Sequence, residues 1–179
     1  MKTTAAFLVA IILSAVAFAQ SDLVRVPTVK LNAVTAGNAR RSGATEAPNP
    51  EAARQTVAHG SSVNVSVENV GSAPVNVTLR WFAVGRYETS KNFFRNGDGE
   101  KQLKVAPKSS GELTVDCNIQ SHVTKSKKGS YESGGKLVGW VVAMYDDAGK
   151  LVDVAASDPA LARFGTEPPN RQRGAGPSE

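Results

Sequence analysis

Aromatic and basic side chains are concentrated between positions 80 and 95. The aromatic members are Trp81, Phe82, Tyr87, Phe93 and Phe94, and the basic members are Arg80, Arg86, Lys91 and Arg95. Aromatic rings beside arginines are typical of protein-binding hot spots and of surfaces that stack on sugars or single-stranded nucleic acid. This stretch is therefore the first candidate for a binding site.

A structural role competes with a binding role for these rings. Trp81 and Phe82 lie in an alternating pattern that is typical of a strand, which favours packing in a core. Two roles stay open for Tyr87, Phe93 and Phe94: they pack a loop against the domain, or they contact a ligand. The candidate binding residues, in a loop at 86–95, are Arg86, Tyr87, Lys91, Phe93, Phe94 and Arg95.

The sequence contains no recognisable catalytic or metal-binding motif. His59, His122 and the single Cys117 match none of the spacings of metal ligands, nucleophile elbows or dinucleotide loops. A triad of residues distant in sequence would leave no such motif. We expect no enzyme activity, no metal site and no cofactor, and we expect Cys117 to be buried because free cysteine is among the most buried residue types.

Two oxygen-rich stretches, 96–100 and Asp146-Asp147, could suggest a calcium loop. Neither has the ligand spacing of such a loop. Asn-Gly and Asp-Gly are common turn formers, so the stretch 96–100 predicts a hairpin turn.

The N-terminus indicates export. Lys2, the apolar run at 5–16 and Ala17-Phe18-Ala19 are the three parts of a secretory signal peptide, predicted at 1–19. The run is shorter than the roughly 20 residues of a transmembrane helix, and no later segment is as apolar. We expect a mature protein that begins at Gln20, is periplasmic or extracellular, and has no transmembrane segment.

The charge is modestly basic, with 21 lysines and arginines against 16 aspartates and glutamates. A small net positive charge favours contact with anionic envelope polymers. The alternative is an ordinary solvated surface, whose charges only keep the protein soluble. Nucleic acid is not an expected partner of an exported protein with so small a charge. The expected partner is an envelope protein or a polysaccharide.

Alternating apolar residues predict most of the strands. Segments 61–67 and 75–81 alternate strictly, and the turn between them predicts a hairpin. The nearly continuous apolar run at 137–145 predicts a central strand covered on both faces, with 151–155 as its partner. Further strands are predicted at 23–34, 103–105 and 113–119.

About seven strands joined by Gly, Pro, Asn and Ser turns predict an all-β, antiparallel two-sheet sandwich in one domain, 20–164. Segment 35–60 is interpreted as a long loop or insertion; a helix within it and a lead into the next strand are both open alternatives. Pro159 predicts a short helical turn at 157–164. The tail, 165–179, is predicted to be disordered.

Several of these strands resemble a known family. Segments Val63–Gly71 and Pro74–Leu79 are similar to the paired early strands of immunoglobulin-like modules in exported bacterial proteins, including CARDB-type domains. Gly139-Trp140-Val141-Val142, with Tyr145–Lys150 and Ala156-Ser157, resembles the end of small exported sandwich proteins. The resemblance implies an immunoglobulin-like sandwich and no catalytic residue.

The expected function is therefore binding. The first hypothesis is a non-catalytic exported module for protein interaction or envelope assembly, which uses the 86–95 loop or an exposed sheet edge. The alternative is a glycan or anionic-polymer binding protein, in which Tyr87, Phe93 and Phe94 stack on sugars while Arg86, Lys91 and Arg95 contact acidic groups.

Overall fold

The computed structural model describes residues 28–49, 52–87, 90, 92–126 and 129–171. The predicted signal peptide, 1–19, and the last part of the predicted tail, 172–179, lie outside them. The described residues form eight strands and a short 3₁₀ helix at Pro159–Gly165. The strands are β1 (Val29–Asn49), β2 (Ala52–Asn69), β3 (Val75–Tyr87), β4 (Phe93–Val105), β5 (Ser109–Ser126), β6 (Gly129–Ser133), β7 (Gly135–Tyr145) and β8 (Leu151–Ala156).

The strands form two sheets that face each other. The first sheet has the order β1-β2-β5-β6, and the second has the order β4-β3-β7-β8. An immunoglobulin-like sandwich has three strands in one sheet and four in the other. Strands β1, β2 and β5, packed against the four-stranded second sheet, match this arrangement. Strand β6 is an additional strand of five residues. The predicted all-β sandwich with a helical turn near the C-terminus is confirmed.

The alternating apolar residues fill the space between the sheets. Fully burying one such side chain contributes roughly 1.5–3 kcal/mol. Trp140 is buried at the centre, and its indole Nε1 donates a hydrogen bond to Thr35 Oγ1 of the opposite sheet at 2.9 Å. The core includes Val63, Val65, Val67, Leu79, Val115, Cys117, Ile119, Val142 and Met144.

Strand β7 is the central strand that its apolar run predicts. It pairs with β3 on one side and with β8 on the other, and its residues 139–144 are all buried. The turn to β8 is stabilised by Asp146 Oδ1, which accepts the N–H groups of Ala148 and Lys150, while Gly149 takes a positive φ of 75°. Both predictions for this region are confirmed.

The predicted hairpin of 61–67 with 75–81 is wrong, because β2 and β3 lie in different sheets. The buried side chain of Asn69 ends β2 and directs this crossing. Its Nδ2 donates to the carbonyl oxygens of Ala73, Val105 and Ala106, and its Oδ1 accepts the N–H of Gly71. Alternation indicates that both segments are strands, but it carries no information on which strands pair.

Segment 35–60 also differs from the expectation of a loop or helix. Its described residues lie in β1 and β2, which pair from Val29↔Asn69 to Asn49↔Ala52, while β2 also pairs with β5 along its whole length. Main-chain hydrogen bonds hold these strands together, and such bonds need no apolar alternation. The Ala-, Gly- and Arg-rich composition of this segment therefore did not indicate that it forms strands.

Replacing Asn69 with alanine should lower the free energy of unfolding by about 2–3 kcal/mol, because the buried Val105 carbonyl and two part-buried carbonyls would lose their donor. Asn76→Ala is the matched control, since Asn76 is exposed on the next strand and its change should stay within about 0.5 kcal/mol. Urea unfolding of both variants measures the difference. Equal stabilities of the two variants would show that the side-chain hydrogen bonds of Asn69 do not contribute to the stability of the fold.

Candidate functional site

Half of the stretch 86–95 lies in the two strands of a β-hairpin, with Arg86 and Tyr87 at the end of β3 and Phe93, Phe94 and Arg95 at the start of β4. β3 extends to Tyr87 and β4 begins at Phe93, with Arg86 opposite Phe93 and Gly85 opposite Phe94. Lys91 lies outside the described residues. Because neighbouring residues of a strand point to opposite faces, the candidate residues are divided between the two faces of the second sheet.

Phe94 is a core residue. Its side chain is 1% exposed, and its ring lies over Gly85 of β3 and Gly135 of β7, where a Cβ atom would come within 2.3 Å of the ring. The Tyr87 ring packs against it at a centroid distance of 4.5 Å. The predicted stacking on sugars therefore does not fit Phe94, whose ring is enclosed by the sandwich.

Phe93 and Arg95 lie on the other face of β4. The ring of Phe93 is 5.5 Å from that of Phe164, and the guanidinium of Arg163 lies over both rings. Arg95 is half-buried, with its guanidinium 6.0 Å from the Phe82 ring. Arg86 is exposed.

The outer face of the second sheet is covered by residues 157–171, here called the C-terminal strap. Asp158 caps the 3₁₀ helix by accepting the N–H of Ala160 at 2.8 Å, and Leu161 is buried against Phe82, Val84 and Val141. This helical turn, with its Asp cap and Pro159, is as the sequence predicts.

The strap continues into the segment for which the sequence predicts disorder. The carbonyl of Asn170 accepts the N–H of Arg95 at 3.1 Å, and Arg171 donates to Asp98 Oδ2 from Nε at 3.0 Å. Asn170 and Arg171 therefore lie beside β4, whereas Gly165 accepts the Tyr145 hydroxyl of β7 on its carbonyl oxygen. The composition of this segment gave no sign of this, because the contacts are to the backbone and to one carboxylate of a distant strand.

The oxygen-rich stretch 96–100 is part of β4 and not the predicted hairpin turn. The pairing of β3 with β4 shifts between Trp81↔Gly99 and Ala83↔Asn96, so Gly97 and Asp98 form a bulge. Gly97 has a φ of 64° and lies against the backbone of Asn118, where a Cβ atom would approach to 2.8 Å. The Asn-Gly-Asp-Gly composition thus produces a bulge that brings β4 close to β5.

An open cleft of about 850 Å³ lies between the two sheets beside β7. Residues 135–140 of β7 form one wall, and Thr35, Asn38 and residues 59–61 form the other. Ser61 Oγ donates to Asn38 Oδ1 at 2.8 Å across neighbouring strands. Val138 is 42% exposed in this wall, which is high for a valine on a central strand. The sequence did not single out any of these residues as a binding site.

The cleft opens where β8 ends. β8 pairs with β7 only from Val141↔Ala156 to Tyr145↔Leu151. Ser157 makes the last contacts, donating its N–H to the Trp140 carbonyl and accepting the Trp140 N–H on its Oγ, both at 3.1 Å. Within the described strands, β3 pairs with residues 135–139 of β7 on one side, and residues 137–139 have no strand partner on the other side.

Cys117 is buried in the core, as the sequence predicts. Burial raises the pKa of its thiol from 9.0 to about 12, and the nearby carboxylate of Asp116 adds to the shift. The thiol is therefore protonated at neutral pH, which disfavours nucleophilic chemistry.

In the part of the chain that the structure describes, no group of three or more His, Cys, Asp or Glu residues could hold a metal ion. No helix among these residues is long and apolar enough to cross a membrane.

Matches to this chain are found among solved structures. No family model and no curated protein matches the chain. A β-glucuronidase from Bacteroides uniformis matches 68% of this chain over 12% of its own length, at 7% identity and a TM-score of 0.32. A protein from Akkermansia muciniphila matches 80% of this chain over 79% of its own, at 13% identity and a TM-score of 0.33. At these values we base no functional inference on either structure.

Replacing Phe94 with alanine should lower the free energy of unfolding by about 3–5 kcal/mol, because the change leaves a cavity over Gly85 and Gly135. Phe93→Ala is the matched control, since the half-buried Phe93 contacts the strap and should cost less. Chemical denaturation of both variants provides the measurement. A larger loss for Phe93→Ala would contradict the assignment of the two rings.

Cys117 should make stability depend on alkaline pH. The unfolded thiol ionises near pH 9.0, whereas the folded thiol keeps its proton to about pH 12. The unfolded state thus binds fewer protons in this range, and the free energy of unfolding falls as pH rises through it. Cys117→Ala should remove this part of the decline in urea titrations, and a constant difference between the two proteins at all pH values would argue against it.

Proposed function

We propose that this protein is an exported, non-catalytic immunoglobulin-like module that binds an extended segment of a partner protein along the free edge of β7. The proposal rests on one observation: β8 covers only part of β7, and the uncovered edge opens into the cleft of about 850 Å³. Export is supported by the signal-peptide features of the sequence. The relation to CARDB-type modules stays a prediction.

The uncovered edge has the properties of a strand acceptor. An edge strand presents unpaired N–H and C=O groups, which can pair with the backbone of another chain. Residues 137–139 span about 10 Å at 3.4 Å per residue, which is enough for a three-residue strand. The affinity would come from main-chain hydrogen bonds, and selectivity would come from the side chains of the cleft.

The cleft walls indicate which segment would bind. Leu137 and Val138 supply apolar contacts on the β7 side, while Thr35, Asn38 and Ser61 line the opposite side. A segment that alternates apolar and small polar residues matches these two walls, because alternate residues of a strand point to opposite sides.

The chain's own β8 does not occupy the cleft. After Ser157, the Asp158 cap and Pro159 start the 3₁₀ helix, which turns the chain over the outer face of the second sheet. Proline has no N–H to donate to a sheet. The position that β8 would occupy if it continued is therefore left to a partner.

Replacing Val138 with lysine should prevent partner binding, because a charged side chain on an edge disfavours strand addition. The matched control is Val70→Lys, since Val70 is similarly exposed (44% against 42%) and lies outside the cleft lining. We expect at least a tenfold loss of affinity, about 1.4 kcal/mol, for Val138→Lys alone. The measurement is binding of the mature protein to a partner isolated from native envelope extract.

Hydrogen exchange of the purified complex provides the second measurement. Strand addition should slow exchange of the amides in 137–139, with little change in β4. Unchanged exchange in 137–139, or equal affinity of both lysine variants, would refute the proposal. If a second copy of the same chain protects these amides, the edge serves self-assembly and not binding of a different protein.

A further inference from the structure

A second cavity lies on the outer face of the second sheet, beneath the C-terminal strap. It has a volume of about 360 Å³ and shares no lining residue with the cleft beside β7. Strands β3, β4 and β7 form its floor, and Gly165 and Pro168 of the strap border it. Its charged lining residues are Arg80, Arg95, Asp98 and Glu100.

Arg95 is the charged lining residue that has no ionic partner. Arg80 Nε pairs with Glu100 Oε2 at 2.7 Å, and Asp98 pairs with Arg171 of the strap, which lies outside the lining. The two lining carboxylates are thus paired with other arginines, and Arg95 makes no ion pair with a described residue. An arginine without a carboxylate partner suits a monoanion.

The side chain of Arg95 has an unsatisfied donor. Its Nε is enclosed and makes no hydrogen bond with any described residue. Leaving such a donor unpaired costs about 1–3 kcal/mol, and more for a charged group. A bound acceptor at this position would remove the cost.

An aromatic ring lies beside each of the two arginines. The guanidinium of Arg95 lies 6.0 Å from the centroid of the Phe82 ring, and that of Arg80 lies 5.0 Å from the centroid of the Tyr145 ring. A cation–π contact is an attraction between the charge and the ring and does not take the place of a hydrogen-bond acceptor. The Arg95 Nε–H group therefore remains without an acceptor.

We propose that this cavity binds a small organic carboxylate, with Arg95 as its anchor. The two oxygens of a carboxylate match the Nε and terminal N–H groups of a guanidinium, which form parallel hydrogen bonds. The carboxylate pairs with the charge of Arg95, and the apolar part of the ligand lies beside Phe82. The site is independent of the proposed strand binding at β7, so either one stands if the other fails.

Titration with benzoate tests the proposal directly. Benzoate should shift the NMR signal of the Arg95 Nε–H group in a saturable manner, while neutral benzamide should not. Arg95→Lys keeps the charge but lacks the planar fork, and it should weaken binding about tenfold or more, equivalent to about 1.4 kcal/mol. The matched control is Arg86→Gln, an exposed arginine of the same hairpin end, which should bind benzoate like the original protein.

Three results would overturn the proposal. They are an Arg95 Nε–H signal that benzoate leaves unchanged, equal binding of benzamide, and equal affinity of Arg95→Lys for benzoate. Phosphate and polygalacturonate distinguish the source of the anion. Tighter binding of phosphate than of benzoate would mean that the ligand is a different oxyanion. A shift of the Arg95 signal by polygalacturonate would mean that the ligand is an acidic polymer and not a small acid.

Discussion

The sandwich depends on the buried amide of Asn69. The chain leaves the first sheet at this residue and enters the second at Val75. The backbone N–H and C=O groups of the connecting segment therefore do not pair with a neighbouring strand. The Asn69 side chain bonds the carbonyl groups of Ala73, Val105 and Ala106 and thereby joins the end of β2 to the end of β4. Without these bonds, the buried Val105 carbonyl would lose its Asn69 donor, which is costly in an apolar interior.

The turn at Ser157, Asp158 and Pro159 creates both candidate sites. It ends the pairing of β8 with β7, which leaves the edge of residues 137–139 open toward the cleft. It also directs the C-terminal strap across the outer face of the second sheet, where Leu161 is buried in a second small core. The cavity at Arg95 lies between the strap and the second sheet, near β4.

The candidate loop at 86–95 was identified by composition, and the structure divides its residues. Phe93, Phe94 and Arg95 are consecutive in a strand, so the pleat directs Phe94 into the core and its two neighbours outward. Glycines at 85 and 135 provide the space that the Phe94 ring needs, and these lie on two other strands. Composition indicated a concentration of rings and cations, but only strand pairing decides which of them face a ligand.

Local pattern was sufficient to predict the fold class, the central strand β7 with its partner β8, the capped helical turn and the burial of Cys117. Each depends on alternation, turn residues or caps, which act over a few neighbouring positions. The pairing of β2 with β5, the long β1–β2 ribbon and the contacts of the strap depend on residues far apart in sequence. Such contacts leave no periodic signal in either segment, so the cleft and the Arg95 cavity exist only in the tertiary structure.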